Sequence, residues 1–456
     1  MHKDNRTILQ IAVPSIVSNI TVPLLGLVDL TIVGHIGNAA YISAIAVGSM
    51  IFNVIYWIFG FLRMGTSGLT AQAYGRRSRT MVYGALRKSV GTAIVIGLTF
   101  ILLQSLILRL MLWLMNTPEE SVPFVSQYFN IVIWGAPAML SLYAMNGWFV
   151  GMQDTKITMV VAITQNIANI VASLFLVIIL RWGIEGVATG TLFAQWFGAL
   201  LAVCGVLLKR KSTERLWKRR TENLSSVDSK DTDMSQSEAI NGDTEENISL
   251  KRFFTVNRDI FLRTLFLVAV NLFFTSAGGH QGALVLAVNS VVITLYTVFS
   301  YFMDGFAYAG EALCGKYYGN GNKEGFLNIV RCLNHWGIAM AVTFTIIYII
   351  GGREFMGLLT SDAAVVEASL HYLPWACAIP LCGVTAFIYD GIFVGITATK
   401  GMLLSSATAA IVFFIVFFYL NGSIGNNALW LAFISFLSCR GLVEVIVLRH
   451  KVMAGS

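Results

Sequence analysis

Charge is what this sequence is poorest in. Asp, Glu, Lys and Arg make up 12% of its 456 residues while 56% are hydrophobic, against about 25% charged and 45 to 50% apolar in soluble domains. Together with a mean hydropathy of +0.72, this excludes a water-soluble fold. Cysteine is sparse as well. The six cysteines are scattered through apolar runs without a CxxC pair, which argues against a disulfide framework or a zinc site and leaves them as small core residues. The motifs GxxxxGK[ST], HExxH and GxSxG are missing, as is GxGxxG after a strand, so nucleotide hydrolysis and the common catalytic centres are not expected. Six dispersed histidines, with His35 and His280 the only suggestive pair, do not supply the clustered groups of an integral-membrane enzyme. No catalytic residue, metal ligand or bound cofactor is expected. Nor is a nucleic-acid partner, because the formal charge of +7 sits in short loops, where it orients helices in a membrane.

Apolar runs are abundant. A span needs about 20 mostly apolar residues, and twelve such segments fall near 9–33, 41–63, 88–115, 124–150, 157–180 and 184–208, then 256–278, 282–312, 326–350, 364–396, 402–421 and 427–448. No basic leader with a cleavage site precedes the first run, which is therefore expected to be a retained span. Every second connection is basic: Arg76, Arg77, Arg79, Arg87 and Lys88 after the second span, Lys156 after the fourth, Lys209 to Lys211 after the sixth, Lys316 and Lys323 after the eighth, and Lys400 after the tenth. Cytoplasmic loops are enriched in Lys and Arg, so both termini are expected in the cytoplasm. Residues 209–252 separate the halves 1–208 and 253–456. They open with a basic stretch around Leu216 and Trp217 and continue as an acidic, Ser/Thr/Asn-rich tract of the composition that stays disordered. A solvated linker and a segment lying on the anionic inner leaflet are both open.

The halves are copies. Tyr74-Gly75 recurs as Tyr318-Gly319, and Gly147, Phe149, Val150, Gly151, Thr155 and Lys156 recur as Gly391, Phe393, Val394, Gly395, Thr399 and Lys400, all 244 residues apart. A six-span unit is duplicated. Because six is even, both copies enter from the same side, so the expected fold is an all-α integral membrane protein of twelve transmembrane helices in two parallel-repeat six-helix lobes. Transport folds built this way place a substrate path between the halves.

Polar residues inside the spans carry the functional reading. Asp29 lies in the first run with no basic residue near it in sequence, and an ionised carboxylate there costs at least about 2.5 to 3.5 kcal/mol. It should face a wet cavity or exchange a proton; gluing helices together by hydrogen bonds is the alternative. Pro23 removes a backbone hydrogen bond one to two turns earlier and bends the helix. In the fifth span Asn166, Asn169 and Ser173 form one stripe, as a cavity lining or as interhelical glue, and Thr189 and Thr191 of the sixth extend it. The eighth span carries Asp304 and Glu311 on one face with Tyr301 and Tyr308. This stripe either binds an organic cation by charge and cation–π contact or is neutralised structurally by Arg263 and Lys316. Asp390 stands where the first half has Asn146, with helix packing, gating and ligand binding all open.

Several stretches resemble the MATE (multidrug and toxic compound extrusion) family: Ala12-Val13-Pro14 and Val28-Asp29 in the first span, Gln72-Ala73-Tyr74-Gly75, Gly147-Trp148-Phe149-Val150-Gly151, and Asn166-Ile-Ala-Asn169. The block from Asp304 to Ala312, with Gly315 and Tyr318-Gly319, is similar to the DinF-like branch. The resemblance covers the chain apart from the segment near 210–252. It implies a V-shaped pair of lobes, alternating access, and a monomer in the bacterial inner membrane, surrounded by lipid, that exports amphipathic or cationic small molecules in exchange for H⁺ or Na⁺. It further implies that Asp29 is the ion-coupling acid, with Asn169 and Thr191 beside it. Many members have Asp where this chain has Ser173, which removes a hard oxygen ligand and favours proton over sodium coupling. A lipid-linked precursor flippase of the same superfamily is the runner-up, disfavoured here because the ionisable residues within the spans read as mainly acidic.

Overall fold

The computed structural model describes residues 2–34, 39–115, 117–227, 248–360 and 362–454, without the side chains of 2–3, 22–34, 39–40, 42, 214–227 and 452–454. Apolar runs of this length have to satisfy their backbone groups internally, and helices do so. Among the described residues there are no strands. The first half comprises α1 (His2–Gly34), α2 (Ala39–Ile58), α3 (Phe61–Gly75), α4 (Arg79–Leu102), α5 (Gln104–Leu114), α6 (Val122–Val132), α7 (Ala136–Gly151), α8 (Thr155–Leu174) and α9 (Gly183–Val227). The second comprises α10 (Leu250–His280), α11 (Ala283–Gly319), α12 (Lys323–Leu359), α13 (Ala363–Gly395), α14 (Thr399–Ile424) and α15 (Asn426–Ala454). Eleven helical stretches among the described residues are long and apolar enough to span a membrane, and α1 supplies the remaining rod. Two of the stretches, Ser43–Gly75 and Glu119–Gly151, each contain two of these α-helices.

Three boundaries differ from the sequence expectation in ways that matter. The second span does not end at 63: after a tight turn at Phe59–Gly60 it continues as α3 to Gly75, so Arg63 is an interior residue rather than an end. Arg87 and Lys88 lie within α4, and Lys316 within α11. Beyond 208, α9 continues unbroken through Lys209 to Lys211 as far as Val227. The acidic tract that follows, 228–247, lies outside the described residues.

The repeat is visible as duplicated backbone contacts. A Cβ on Gly151 would stand 2.7 Å from the carbonyl oxygen of Ser67, and one on Gly395 would stand 2.7 Å from that of Glu311. One turn earlier Gly147 abuts the carbonyl of Arg63 and Gly391 that of Ala307. Both contacts obey the 244-residue offset, so the repeated glycines let the second and fourth spans of each half touch backbone to backbone. The same symmetry joins the halves at the end that carries the basic connections, where Gly75 meets the carbonyl of Lys316 and Gly319 meets that of Gln72. Each lobe has its own core, around Phe129 and Phe52 in the first and around Trp430, Phe433 and Phe299 in the second. Outward surfaces are apolar, as at Leu102 and Ile350, which are 82% and 76% exposed and suited to lipid. Of the cysteines, Cys314 and Cys332 are buried and three are half-buried, but Cys204 is exposed. Cys204 is thus not the core residue expected of it.

Candidate functional site: a charged cavity between the lobes

A cavity of about 540 Å³ lies between the halves, walled by α2 and α3 from the first and by α10, α11, α13 and α15 from the second. Its chemistry comes from six ionisable side chains: Arg63, Arg263, Arg440, Asp304, Glu311 and Asp390. Arg63 arrives there because Gly60 breaks the second span one turn earlier, where a Cβ would stand 3.1 Å from the carbonyl of Trp57. The equivalent position in the second half, at the 244-residue offset, is Asp304, and α11 runs through it without a break.

All four residues predicted on α11 line this cavity: Tyr301, Asp304, Tyr308 and Glu311. Their partners are not those expected. Arg63 donates to both carboxylate oxygens of Glu311, at 3.1 and 3.2 Å, and its guanidinium lies 4.1 Å from the centroid of the Tyr308 ring. The cation over the phenol is therefore supplied by the protein itself. Lys316 Nζ lies near the rings of Tyr74 and Tyr317. Arg263 pairs with Asp390, and Arg440 donates to the same oxygen at 3.1 Å. Asp390 is accordingly the shared anion of two arginines, a role the sequence had left open. Behind it Glu444, fully buried, accepts from Ser405 Oγ at 2.9 Å. Asp304 is the exception, since among the described residues no hydrogen bond or ion pair engages it. It is half-buried at the cavity wall.

The cavity is balanced in charge, with three cations facing three anions, which corrects the reading of the spans as mainly acidic. Arg440 and Glu444 escaped the sequence reading although a signal was there. They are four residues apart inside the last apolar run, where an intramembrane charge of either sign marks function or pairing.

In the first half Asn169, Ser173 and Thr191 do come together. Asn169 Nδ2 donates to Thr191 Oγ1 at 3.3 Å, and Ser173 Oγ donates to Asn169 Oδ1 at 3.1 Å. The close approach of α8 and α9 that allows this occurs at Gly190, where a Cβ would stand 2.8 Å from the Ser173 nitrogen. Asn166 instead donates to the carbonyl of Thr21 on α1, at 3.1 Å. The side chains of Pro23 and Asp29 lie outside the described residues, while their backbone belongs to α1. Asn19, one turn before Pro23, reaches the second half by donating to the Tyr301 carbonyl at 3.4 Å. The helix carrying Asp29 is thereby tied to both the polar cluster and the cavity.

A polar clasp closes the end that carries the basic connections. Gln72 Nε2 donates across the lobes to the Gly395 carbonyl at 2.9 Å and to Thr397 Oγ1 at 3.0 Å, while Arg252 Nη2 donates to Gln72 Oε1 at 2.8 Å. Its members come from three distant stretches, a combination that spacing within one helix does not reveal.

Comparison with known proteins places this architecture. The sequence profile of the MatE family matches residues 14–175 and 260–420, once in each half. DNA damage-inducible protein F of Escherichia coli (strain K12) is 32% identical over 98% of this chain and 92% of its own. A probable multidrug resistance protein NorM of Thermotoga maritima is 22% identical over 80% of this chain and 74% of its own. The crystal structure of MATE in the bent conformation superposes with a TM-score of 0.83 at 17% identity, covering 99% of this chain and 96% of that one. Both halves of this multi-pass membrane protein carry the family pattern, so the chain belongs to the MatE family of membrane transporters, in its DinF-like branch.

Proposed function

We propose that the protein is a proton-coupled exporter of amphipathic organic cations, working as a monomer in the bacterial inner membrane with both termini in the cytoplasm. The observation that carries the substrate assignment is Asp304. Of the three acids lining the cavity it is the one without a partner among the described residues, since Glu311 is held by Arg63 and Asp390 by two arginines. An ammonium group beside Asp304, with Tyr301 one turn away, would meet the free charge of the wall. The name of the Thermotoga relative, a probable multidrug resistance protein, is in keeping with a substrate of this kind. Energy enters through protons taken up and released at Asp29, the lone acid of an apolar run two turns beyond Pro23. Proton rather than sodium coupling is supported by the polar cluster of α8 and α9. Asn169, Ser173 and Thr191 are all neutral, and among the described residues no carboxylate joins them to help ligate a metal ion.

Uptake of fluorescent cations into inverted vesicles, driven separately by imposed proton and sodium gradients, tests the proposal. Asp29→Asn should abolish gradient-driven uptake in protein expressed at normal levels, and Asp304→Asn should raise KM at least about tenfold with the proton response intact. Unchanged uptake by Asp29→Asn, or dependence on sodium alone, overturns the coupling assignment. A second reading, flipping of a pyrophosphate-linked lipid, draws on Arg63, Arg263 and Arg440 in the cavity wall. Each of these guanidiniums already faces a carboxylate, and lipid movement in vesicles lacking any cation uptake would be its signature.

A further inference from the structure

Outside the central cavity, the second lobe gathers cations at one further place. A pocket of about 530 Å³ opens at the end of the molecule that carries the basic connections, between the first turns of α10 and α14 and the last turns of α15. Lys251, Arg252, Lys400 and Lys451 line it, with Asp259 as the single acid. That acid is already engaged: Thr399 Oγ1 donates to one of its oxygens at 3.0 Å and Arg258 Nη2 to the other at 2.9 Å. Lys251, Lys400 and Lys451 are exposed, and among the described residues none of them makes an ion pair. Four positive charges around one spent carboxylate form an uncompensated basic pocket.

Two helices also begin here. Ala398, Thr399, Lys400 and Gly401 of the α14 start lie on the pocket wall, and no side chain caps that helix. The Gly401 N–H is given to the Ala398 carbonyl, and the remaining first-turn N–H groups and the positive dipole end add to the lysines as anion ligands. One turn further in, the surface changes character, with Phe254 on α10 and Leu404 on α14 54% and 56% exposed. Cations above an exposed apolar surface, at the end assigned to the cytoplasm, match an amphiphile that carries its anion at the membrane interface.

We propose that this pocket binds the phosphodiester headgroup of an anionic phospholipid from the cytoplasmic leaflet, with Lys251, Lys400 and Lys451 and the first turn of α14 as its ligands. The lysines act as point charges on the phosphate oxygens, and the acyl chains descend along the exposed apolar surface. A soluble phosphate shares the headgroup chemistry but gains nothing from Phe254 and Leu404, so the two sources separate experimentally.

Detergent-purified full-length protein is titrated with phosphatidylglycerol, phosphatidylcholine or inorganic phosphate, with thermal unfolding and native mass spectrometry as readouts. Phosphatidylglycerol is expected to raise the unfolding temperature saturably and to remain bound, while phosphatidylcholine and inorganic phosphate do neither. Lys251→Gln/Lys400→Gln/Lys451→Gln should weaken phosphatidylglycerol on the order of a hundredfold. Arg77→Gln/Arg87→Gln/Lys323→Gln, an equal loss of exposed charge at the same end, should leave it unchanged. An equal effect of both triple variants, or saturation by inorganic phosphate alone, overturns the proposal. So does a response that appears only after residues 228–247 are replaced by a short Gly/Ser linker, because the acidic tract of the chain itself would then be the occupant.

Discussion

At the scale of single residues, the ion pair between the lobes is both the most consequential feature and the one least legible in advance. Glu311 is 1% exposed and takes both hydrogen bonds from Arg63, so removing the arginine alone leaves a buried, uncompensated charge. Arg63→Ala is expected to lower unfolding stability by about 3 to 5 kcal/mol, whereas Arg63→Ala/Glu311→Gln should recover most of the loss, because an absent pair costs less than a broken one. Thermal unfolding of the three variants in one detergent checks this, and a double variant no better than the single one would remove the pair from the account. The acid was readable from its helical spacing with Asp304. Its partner was not, because Arg63 stands at the end of an apolar run and only the break at Gly60 turns that end into a helix interior. Charge pairing across 248 residues leaves no local periodicity to read.

At the scale of elements, the helices followed from run length, and the repeat followed from two sequence blocks with one offset. What the offset could not tell is why the glycines recur. The structure answers that they are contact points, Gly151 against Ser67 and Gly395 against Glu311, each leaving 2.7 Å for a Cβ. Gly151→Ala and Gly395→Ala should therefore each destabilise by about 1 to 3 kcal/mol through forced separation of the helices, measurable as a lowered unfolding midpoint. Gly395→Ala should in addition impair transport, since it displaces the backbone of Glu311. An alanine at Gly422, whose Cβ meets nothing within 4 Å, serves as the control. The connection between the halves behaves differently. Composition reads the acidic tract within 209–252 as disordered, yet near its end Ile248 is 3% exposed, its carbonyl accepts from Lys88, and Ser249 caps α10 through the Arg252 nitrogen. Replacing 228–247 by a flexible linker should leave folding intact, and extending the deletion through Ser249 should not, as purification yield and unfolding temperature would reveal.

At the scale of the whole molecule, duplication makes the two halves alike in backbone and unlike in charge. Glycine contacts obey the 244-residue offset, but Arg263, Asp390, Arg440 and Glu444 all fall in the second lobe, and their equivalents are Asn19, Asn146, Trp196 and Leu200. Self-comparison finds what the halves share and is blind to this asymmetry. The clasp shows the same division. Gln72 is the equivalent of Lys316, and both carbonyls meet a glycine of the opposite lobe. Yet only an amide can donate to Gly395 and Thr397 while accepting from Arg252. An ammonium has nothing to accept with, and Lys316 Nζ rests near the rings of Tyr74 and Tyr317 instead. Closure of this end is thus maintained by symmetric glycine contacts and a one-sided clasp.

Opening at the end that carries the basic connections must part Gln72 from Gly395 and Thr397. With roughly 1 kcal/mol for each of three hydrogen bonds, Gln72→Ala should raise the ratio of open to closed molecules by on the order of a hundredfold, at tenfold for every 1.4 kcal/mol. Spin labels at cysteines placed on Arg77 and Lys323, exposed positions on opposite lobes at this end, would report the change as a longer inter-label distance gaining population. Gln72→Glu makes a sharper comparison. It keeps a charge-assisted acceptor for Arg252 but loses both donations to Gly395 and Thr397, so its distance distribution should shift in the same direction as that of Gln72→Ala but less far. A distribution unchanged from that of the natural chain in both variants would assign closure to the glycine contacts alone.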